Sequence, residues 1–300
     1  MSNYWRIVFN SAMIIERTLR FLWKEFIYGG HFQALGAASI VFVSAFFLDI
    51  KISWDILFIT YMLLYPVYLY NRYKEIETDY LTNPGRTEYL KTYIKGGAMV
   101  LIAAISIFLI GSLIYFSNLK STVFVLLLLV FGFLYTDIFK RLTRKAPLFK
   151  NFYVSSFFAL LVIFPIIYYS PPLTKDLVLS ALIFATFVFL NAFVMQILLD
   201  LKDLESDKKG GLLTVPTIWG RENTFRILKI FSLLAVVPIP IIFSFYFTLF
   251  PKIISMLVLT VPFNYFCFQL AKKHNYFGYI LMGGMFLLWP VLILLGKILW

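Results

Sequence analysis

Nine long apolar runs divide this chain, and they constrain its fold more than any other feature. Each is about 17–25 residues long, the length that an α-helix needs to cross the hydrocarbon core of a bilayer. They cover roughly 32–50, 54–71, 96–117, 121–138, 152–170, 177–200, 227–249, 253–271 and 276–297. Of the 300 residues, 61% are hydrophobic and 14% are charged, against about 45–50% and 25% in soluble domains. We therefore expect an all-α, polytopic membrane protein with nine transmembrane helices.

The basic residues indicate the orientation of these helices. Short turns alternate with longer polar loops, and 22 of the 27 lysines and arginines lie on the side of the N-terminus and the long loops. Cytoplasmic loops carry such an excess, so the N-terminus and the loops 72–95, 139–151 and 201–226 are predicted to be cytoplasmic. The net charge of +12 does not indicate nucleic acid, because the basic residues flank apolar runs and form no single patch.

The chain reads as one domain, 1–300, that begins with an interfacial helix at 1–26. Arg17, Arg20 and Lys24 share a helical face in this segment, and tryptophan and phenylalanine residues are interspersed. Cys267 is the only cysteine, which excludes an intrachain disulfide and a thiolate metal site. Since the chain has two histidines, a multi-histidine metal site is excluded as well.

An acidic stretch follows the apolar run that ends near residue 200. Gln196, Asp200, Asp203 and Asp207 are separated by four, three and four residues, which places them on one face of a continuous helix. Carboxylates so close together repel each other, and a cation would offset this repulsion. Hard oxygen ligands at this spacing suit Mg²⁺, with Mn²⁺ as a substitute, and water and substrate phosphate complete its shell. The alternative is a solvated acidic helix end.

A second acidic stretch has the same spacing and lies 128 positions earlier in the chain. Asn71, Glu75 and Asp79 stand at i, i+4 and i+8, again on one helical face at the end of an apolar run. Glu75 and Asp79 are four residues apart, as are Asp203 and Asp207. Two acidic clusters that face each other are predicted to hold two metal ions on one diphosphate.

Together these residues point to the chemistry of an allylic diphosphate. Divalent ions held by carboxylates, with nearby lysine and arginine, stabilise the negative charge that develops on the departing diphosphate. The allylic cation must be kept from water, and aromatic faces stabilise it. Phe and Tyr are abundant here, and a helical bundle rich in them provides a tunnel for an isoprenoid. Ionisable residues at the ends of membrane spans are functional candidates because burying them is costly.

Both motifs resemble those of the UbiA superfamily of intramembrane prenyltransferases. Asn71, Glu75 and Asp79 resemble the family's Asn-x3-Asp-x3-Asp, and the tail Asn83-Pro84-x-Arg86-Thr87 is similar too. The family's second motif, basic residue–Asp-x3-Asp-x3-Gly-x2-Thr-x-Pro, is matched by Lys202, Asp203, Asp207, Gly211, Thr214 and Pro216. The family's segment between the two motifs is similar to two short stretches here, Tyr135 with Lys140 and Lys150-Asn151. Glu75 departs from the family's usual aspartate.

The resemblance implies an enzyme that transfers an isoprenoid from an isoprenyl diphosphate to a lipophilic or aromatic acceptor. It also implies nine helices around a central cavity that cytoplasmic loops cap. The metals would be held by Asn71, Glu75, Asp79, Asp203 and Asp207, of which Asp79, Asp203 and Asp207 are the candidate catalytic residues. The diphosphate would be bound by Arg72, Arg86, Lys140 and Lys208. The acceptor or cavity residues would be Tyr135, His31 and Gln196.

Other interpretations of these residues stay open. A histidine at a membrane interface such as His31 either orients an acceptor hydroxyl or hydrogen-bonds a headgroup or the backbone. Gln196 is polar within a span, where interhelical hydrogen bonding is an alternative to acceptor binding. A secondary transporter also carries intramembrane carboxylates, although at the midplane beside broken helices. A CDP-alcohol phosphotransferase would need an Asp-Gly-x2-Ala-Arg signature, which is absent from this sequence.

Overall fold

The computed structural model describes residues 2–77, 79–93, 96–239, 241 and 252–299; for 2–12, 81, 235 and 252 it describes the backbone alone. The structure is 86% helical, and the described residues contain no β-strand. A helix satisfies its backbone polar groups internally, which apolar runs surrounded by lipid require. The all-α prediction is therefore confirmed.

Fourteen α-helices are described, and they are numbered here in chain order. They are α1 Ser2–Tyr28, α2 His31–Phe47, α3 Trp54–Lys74, α4 Pro84–Tyr93, α5 Ala98–Phe116, α6 Leu119–Asp137, α7 Phe149–Leu160, α8 Phe164–Tyr169, α9 Lys175–Lys202, α10 Leu204–Lys209, α11 Val215–Phe231, α12 Thr260–Lys272, α13 Tyr276–Gly283 and α14 Met285–Leu299. Short 3₁₀ helices cover Asp79–Leu81, Phe139–Arg144, Leu161–Ile163 and Lys252–Leu259.

Five helical segments are long and apolar enough to cross a membrane. They are Ala98–Phe116, Leu119–Asp137, Phe149–Tyr169, Lys175–Lys202 and Ile253–Lys272. Two further pairs, α1 with α2 and α13 with α14, meet the criteria of length and hydropathy when each pair is taken together, and they are bent by 59° and 61°. The described residues thus hold five such spans, or seven if each bent pair is one span. The protein is a multi-pass membrane protein. The number nine stays a prediction, and the predicted span 227–249 lies partly outside the described residues.

The helices close into a bundle because the last one packs against the second. α2 packs on α3, α3 packs on α5 and α6, α9 packs on α7, α11 and α13, and α14 returns to α2. At this closure a Cβ atom on Gly36 would lie 3.7 Å from the Cβ atom of Phe286. The core behind it is aromatic, with the Trp289 ring 4.9 Å from Phe286 and 5.3 Å from Phe187 between centroids.

The longer connections gather at one end of this bundle. The Leu213 N–H donates to the Thr143 carbonyl (2.9 Å), and the Leu148 N–H donates to the Leu213 carbonyl (3.1 Å), which joins two of the connections. The side chain of Asn83 joins a third connection to residue 203. Both predicted acidic motifs lie at this end, so the fold brings them together.

Candidate active site

A cavity of about 350 Å³ lies where these connections meet the bundle. Its wall contains ten of the twelve predicted site residues, namely Asn71, Arg72, Glu75, Asp79, Arg86, Tyr135, Lys140, Gln196, Asp203 and Asp207. His31 and Lys208 are not part of this wall. Residues from α2, α3, α6, α9 and α13 all line the same space, although up to 250 positions separate Gln33 from Gly283.

The first acidic segment keeps its helical spacing beyond the end of α3. The Glu75 N–H donates to the Asn71 carbonyl (3.0 Å), and the Asp79 N–H donates to the Glu75 carbonyl (2.9 Å). The three side chains therefore line the cavity on one side, as their spacing of four predicts. The Asn71 amide also donates to Glu75 Oε2 (3.3 Å) and accepts from the Thr136 hydroxyl (3.2 Å).

Both carboxylates of this segment already have a cationic partner. Lys140 Nζ bonds Glu75, and the Arg86 guanidinium bonds Asp79. The two carboxylates are 18% and 14% exposed, so solvent screens the pairs only in part. Arg72 lies beside them, is 6% exposed, and has an Nε group without a hydrogen-bond partner in the described structure.

The second acidic segment is not the continuous helix that its spacing suggested. α9 ends at Lys202, Asp203 is the turn residue, and α10 begins at Leu204. The Asp203 N–H donates to the Asp200 carbonyl (3.1 Å), a tighter turn than the α-helix. Asp203 and Asp207 line the cavity, whereas Asp200 does not. The break at Asp203 thus separates residues that a straight helix would present on one face.

Asp200 is fully buried and belongs to an ion pair with α7. Its carboxylate accepts from Lys150 Nζ (2.5 Å) and from the Asn151 amide (2.7 Å). The Asp200 side chain is 1% exposed, so this pair lies in a low-dielectric environment where an unpaired charge would be costly. Lys150 itself lines the cavity. Asp200 therefore fixes the position of a cavity cation.

Two residues outside the predicted set join the acidic segments to each other. The Asn83 amide donates to Asp203 Oδ1 (3.1 Å), which connects the end of the first motif to the second. The Tyr276 hydroxyl donates to Asn83 Oδ1 (2.9 Å), and the Tyr276 ring lies beneath Lys202 Nζ, 5.9 Å from its centroid. Tyr276 also lines the cavity. No motif surrounds it in the sequence, so sequence reasoning missed it.

The described cavity wall has more cations than anions. Its carboxylates are Glu75, Asp79, Asp203 and Asp207, and its cations are Arg72, Arg86, Lys140, Arg141, Arg144, Lys150 and Lys202. A region with seven cations and four carboxylates attracts an anion of several charges. Arg86 stays protonated despite its burial, since Asp79 and Asp203 raise its pKa.

Burial and neighbouring charges act oppositely on the two aspartates of the second motif. Burial favours a higher pKa for Asp203, but the charges of Lys202, Lys150 and Arg86 outweigh it and hold the pKa below the usual aspartate value. Burial raises the pKa of Asp207 to about 7. The charge of Lys150, and less so that of Lys140, opposes this rise, whereas the charges of Asp200 and Asp203 add to it. Two carboxylates four residues apart therefore differ in their readiness to ionise.

The donor chemistry of the cavity suits a divalent cation such as Mg²⁺. Carboxylate and amide oxygens are the ligands available, and they come from both sides of one space. Among the described residues, no three His, Cys, Asp or Glu side chains form a ready cage for one ion. Mg²⁺ usually takes one or two carboxylates and keeps water and phosphate in its remaining positions. The divided donor set fits that preference.

A smaller apolar recess of about 140 Å³ shares a wall with the cavity. The shared residues include Asn71, Tyr135 and Lys150, and the recess continues between α3, α6 and α7. Its aromatic lining includes Tyr153 and Phe157. A cavity of about 150 Å³ lined by apolar side chains is large enough for a group of benzene size. The polar site therefore borders a space for a small apolar group.

The two predicted residues outside the wall have other partners. His31 Nε2 lies 3.1 Å from Glu25 Oε1, Nδ1 bonds the Tyr61 hydroxyl, and the ring stacks on Tyr65 at 4.4 Å. Lys208 is 53% exposed and lies 3.8 Å from Glu205. The structure thus brings ten predicted residues together, and the roles assigned to all twelve stay predictions.

Comparison with known protein families identifies the fold's relatives. The model of the UbiA prenyltransferase family matches residues 32–289. The chain belongs to this family. UbiA members are membrane prenyltransferases that generally use a divalent metal to bind a diphosphate. The comparison with curated protein sequences gave no significant match.

Two solved structures share the UbiA fold with this chain. One is the apo structure of a UbiA homolog from Aeropyrum pernix K1, with a TM-score of 0.69 and 16% identity over 89% of this chain and 97% of that one. The other is a structure of digeranylgeranylglyceryl phosphate synthase, with a TM-score of 0.56 and 15% identity over 93% and 98% of the two chains. At such identities the likeness concerns the fold.

Proposed function

We propose that this UbiA protein transfers an isoprenoid from an allylic diphosphate to a lipophilic or aromatic acceptor, with Mg²⁺ as its cofactor. One observation carries the proposal: two acidic segments border a single cavity that also holds seven cations and adjoins an apolar recess. A diphosphate ester of an isoprenoid has the matching parts, namely a polyanionic head and an apolar chain.

Asn71, Glu75, Asp79, Asp203 and Asp207 are the proposed metal ligands. A divalent ion bound there supplies charge stabilisation to the leaving diphosphate. The pairs Lys140–Glu75 and Arg86–Asp79 keep both signs of charge inside the cavity before substrate binds. When substrate and metal bind, each lysine or arginine can bind phosphate oxygens and each carboxylate can bind a metal cation. The charges that stabilise the leaving group are therefore in place before the reaction begins.

The departing diphosphate is held by Arg72, Arg86 and Lys140 in this proposal, with Lys150 as a further partner. A role for Lys208 in diphosphate binding has less support, because this residue is not part of the cavity wall. As the bond to the isoprenoid C1 carbon breaks, the electron pair leaves with the diphosphate oxygen and an allylic cation remains. Tyr135 lies beside the recess, where aromatic faces stabilise this cation and exclude water.

The proposed topology has nine spans around this cavity, within one domain of residues 1–300. The N-terminus and the loops that cap the cavity are assigned to the cytoplasm, because 22 of the 27 basic residues flank them. His31 supports the cavity mouth in this proposal and does not touch the acceptor, since it bonds Glu25 and Tyr61.

A membrane assay with a labelled allylic diphosphate tests the proposed reaction. Membranes from cells that express the protein should convert the labelled substrate into an apolar product. The conversion should stop in EDTA and resume when Mg²⁺ is added. Glu75→Gln should lose conversion by roughly tenfold or more, because a ligand charge is removed. Glu75→Asp is the matched control and should keep most of it. Undiminished conversion in EDTA would contradict the metal's role.

The same assay separates the enzyme from its two alternatives. A transporter would move a substrate across the membrane without breaking the diphosphate ester, so no diphosphate would be released. A CDP-alcohol phosphotransferase would release CMP from a CDP-alcohol and leave the allylic diphosphate intact. Loss of the label's diphosphate group with gain of an isoprenoid on lipid is the outcome that supports prenyl transfer.

A further inference from the structure

Helix α1 has two chemically opposite faces in the part whose side chains are described. Arg17, Arg20 and Lys24 follow one another at steps of three and four, which places them on a single face. The opposite face is apolar, and it carries Ile15, Leu19, Leu22 and Phe26. Such a helix, basic on one side and apolar on the other, is typical of segments that lie in a membrane interface.

Phe26 packs on Phe32 of α2, at 5.6 Å between ring centroids, but the rest of the apolar face is exposed. Ile15 is 59% exposed, Leu19 is 61% exposed, and Leu22 and Trp23 are each 54% exposed. A contiguous apolar surface of this kind marks a contact with lipid or with another macromolecule. Every described side chain from residue 13 to residue 24 is exposed, so α1 touches the rest of the bundle only slightly along this length.

α1 departs from the line of α2 and packs against α4. Gly30 has a φ of 104°, a conformation that favours glycine, and α1 is bent by 59° from α2 at this point. The Phe21 ring packs on Tyr89 and Tyr93 of α4, at 6.2 and 5.6 Å between centroids. α4 is a short polar helix between the first acidic motif and α5. The end of α1 lines the cavity, so α1 lies beside it.

A cluster around Glu25 fixes the rotation of α1 about its own axis. Glu25 accepts from the Tyr89 hydroxyl of α4 and contacts His31 of α2. Phe21 and Glu25 are four residues apart, so one flank of the helix is held against α4. The basic and apolar faces lie to either side of that flank. The two faces therefore point in opposite directions.

We propose that α1 docks on anionic lipid headgroups at the membrane face where the cavity opens. Charge complementarity selects this partner, because three cations share the basic face and the nearby Glu16 is paired with Arg20. The apolar face enters the acyl boundary, and the basic side chains extend to the headgroups. This docking holds the cavity mouth at headgroup depth and does not depend on which reaction the cavity performs.

A fluorescent label on the apolar face tests the docking in the full-length protein. Leu22→Cys carries the fluorophore NBD, and the protein is reconstituted in nanodiscs of phosphatidylcholine alone or mixed with phosphatidylglycerol. Cys267 is buried, and a sample without Leu22→Cys gives the background from it. Nitroxide-labelled lipids should quench the fluorescence of the label at position 22. The quenching should be stronger by roughly twofold or more in the nanodiscs that contain phosphatidylglycerol. A label at Glu205, an exposed residue of α10, should stay in water.

Charge variants show whether the basic face is responsible. Arg17→Gln, Arg20→Gln and Lys24→Gln together should abolish the difference between the two lipid mixtures. The matched control replaces three exposed lysines elsewhere, Lys145, Lys209 and Lys273, by glutamine and should keep it. A Leu22 label that stays in water in both mixtures overturns the proposal. So does a lipid dependence that survives the α1 variant, or self-quenching that shows two copies of α1 in contact.

Discussion

The two acidic segments share a spacing but hold their carboxylates differently. In the first, Glu75 and Asp79 each bond a cation from another segment and remain partly exposed. In the second, Asp207 is 6% exposed, its hydrogen-bond donor is the Thr214 hydroxyl at 3.4 Å, and no cation lies within 4 Å of it among the described residues. The same four-residue spacing therefore produces two directly paired carboxylates on one side and, on the other, a buried carboxylate with no cation in direct contact among the described residues.

The difference teaches that a carboxylate's surroundings, and not its motif, set its charge. Asp203 neighbours Lys202, whose Nζ is 3.6 Å away, and its pKa is lowered. Asp207 is four residues on and has a pKa raised to about 7, chiefly by burial. The helix break at Asp203 turns these two side chains towards different neighbours. Three experiments test this difference between buried carboxylates.

The buried pair Lys150–Asp200 should show the largest effect. Lys150→Met leaves the fully buried Asp200 charge without its cation, which should cost about 3–5 kcal/mol of unfolding free energy. The measurement is thermal and denaturant unfolding in detergent. Lys150→Met combined with Asp200→Asn should recover much of the stability but not the activity, because the cavity cation is still missing.

A surface pair provides the control for this experiment. Lys272 bonds Glu222 at 3.0 Å, and both side chains are about half exposed or more, at 49% and 65%. Because solvent screens an exposed pair, Lys272→Met should leave the unfolding transition almost unchanged. An equal loss of stability in Lys150→Met and Lys272→Met would show that burial of the Asp200 pair is not what matters.

The aspartates of the second motif should respond alike in activity and differently in stability. Asp203→Asn and Asp207→Asn should each lower the rate by roughly 10²-fold, about 2.7 kcal/mol of transition-state stabilisation. Without metal, Asp207→Asn should be at least as stable as the parent, because a buried charge is removed. Asp203→Asn should be less stable, because Lys202 loses its partner.

From the sequence alone, removing either carboxylate should relieve repulsion and leave the metal-free protein as stable as before or slightly more stable, since each carboxylate has acidic neighbours on one helical face. The cations around Asp203 change that expectation, whereas it holds for Asp207. Turnover per folded molecule and unfolding temperature are measured side by side. If both variants unfold easily yet turn over normally when folded, the carboxylates are structural.

The pH dependence of the metal-free protein should show the smallest effect. The pKa of Asp207 is about 7 in the folded state, above its usual value, so the folded state favours the protonated form. Its contribution to stability is complete below the usual aspartate pKa of about 3.9 and is lost as the pH rises from there to about 7. Unfolding midpoints between pH 5 and pH 8 should therefore fall in the parent and fall less in Asp207→Asn. Identical slopes would refute the raised pKa.

Much of the fold follows from local sequence. Apolar runs at 96–117, 121–138 and 177–200 correspond to α5, α6 and α9, because a segment in lipid has to satisfy its own backbone as a helix. The spacing of Asn71, Glu75 and Asp79 also survives, since their backbone hydrogen bonds keep the helical repeat. These are properties that neighbouring residues determine among themselves.

Partners that lie far apart in the chain were decided by the tertiary structure alone. Asp200 meets Lys150 from 50 positions away, Asn83 meets Asp203 from 120, and Tyr276 meets Asn83 from 193. Periodicity states which face of its own helix a residue takes, but not which helix packs there. Nothing in the local sequence indicated Tyr276.

The sequence by itself determined a helical membrane protein with two acidic motifs at the ends of apolar runs. Only the packing of the bundle decided that cations lower the pKa of Asp203 and that burial raises the pKa of Asp207. It also decided that His31 is directed to Glu25 and Tyr61. The physical reason is that hydropathy and spacing are local quantities. The charge of a buried carboxylate depends on every neighbour that the fold brings within a few ångströms.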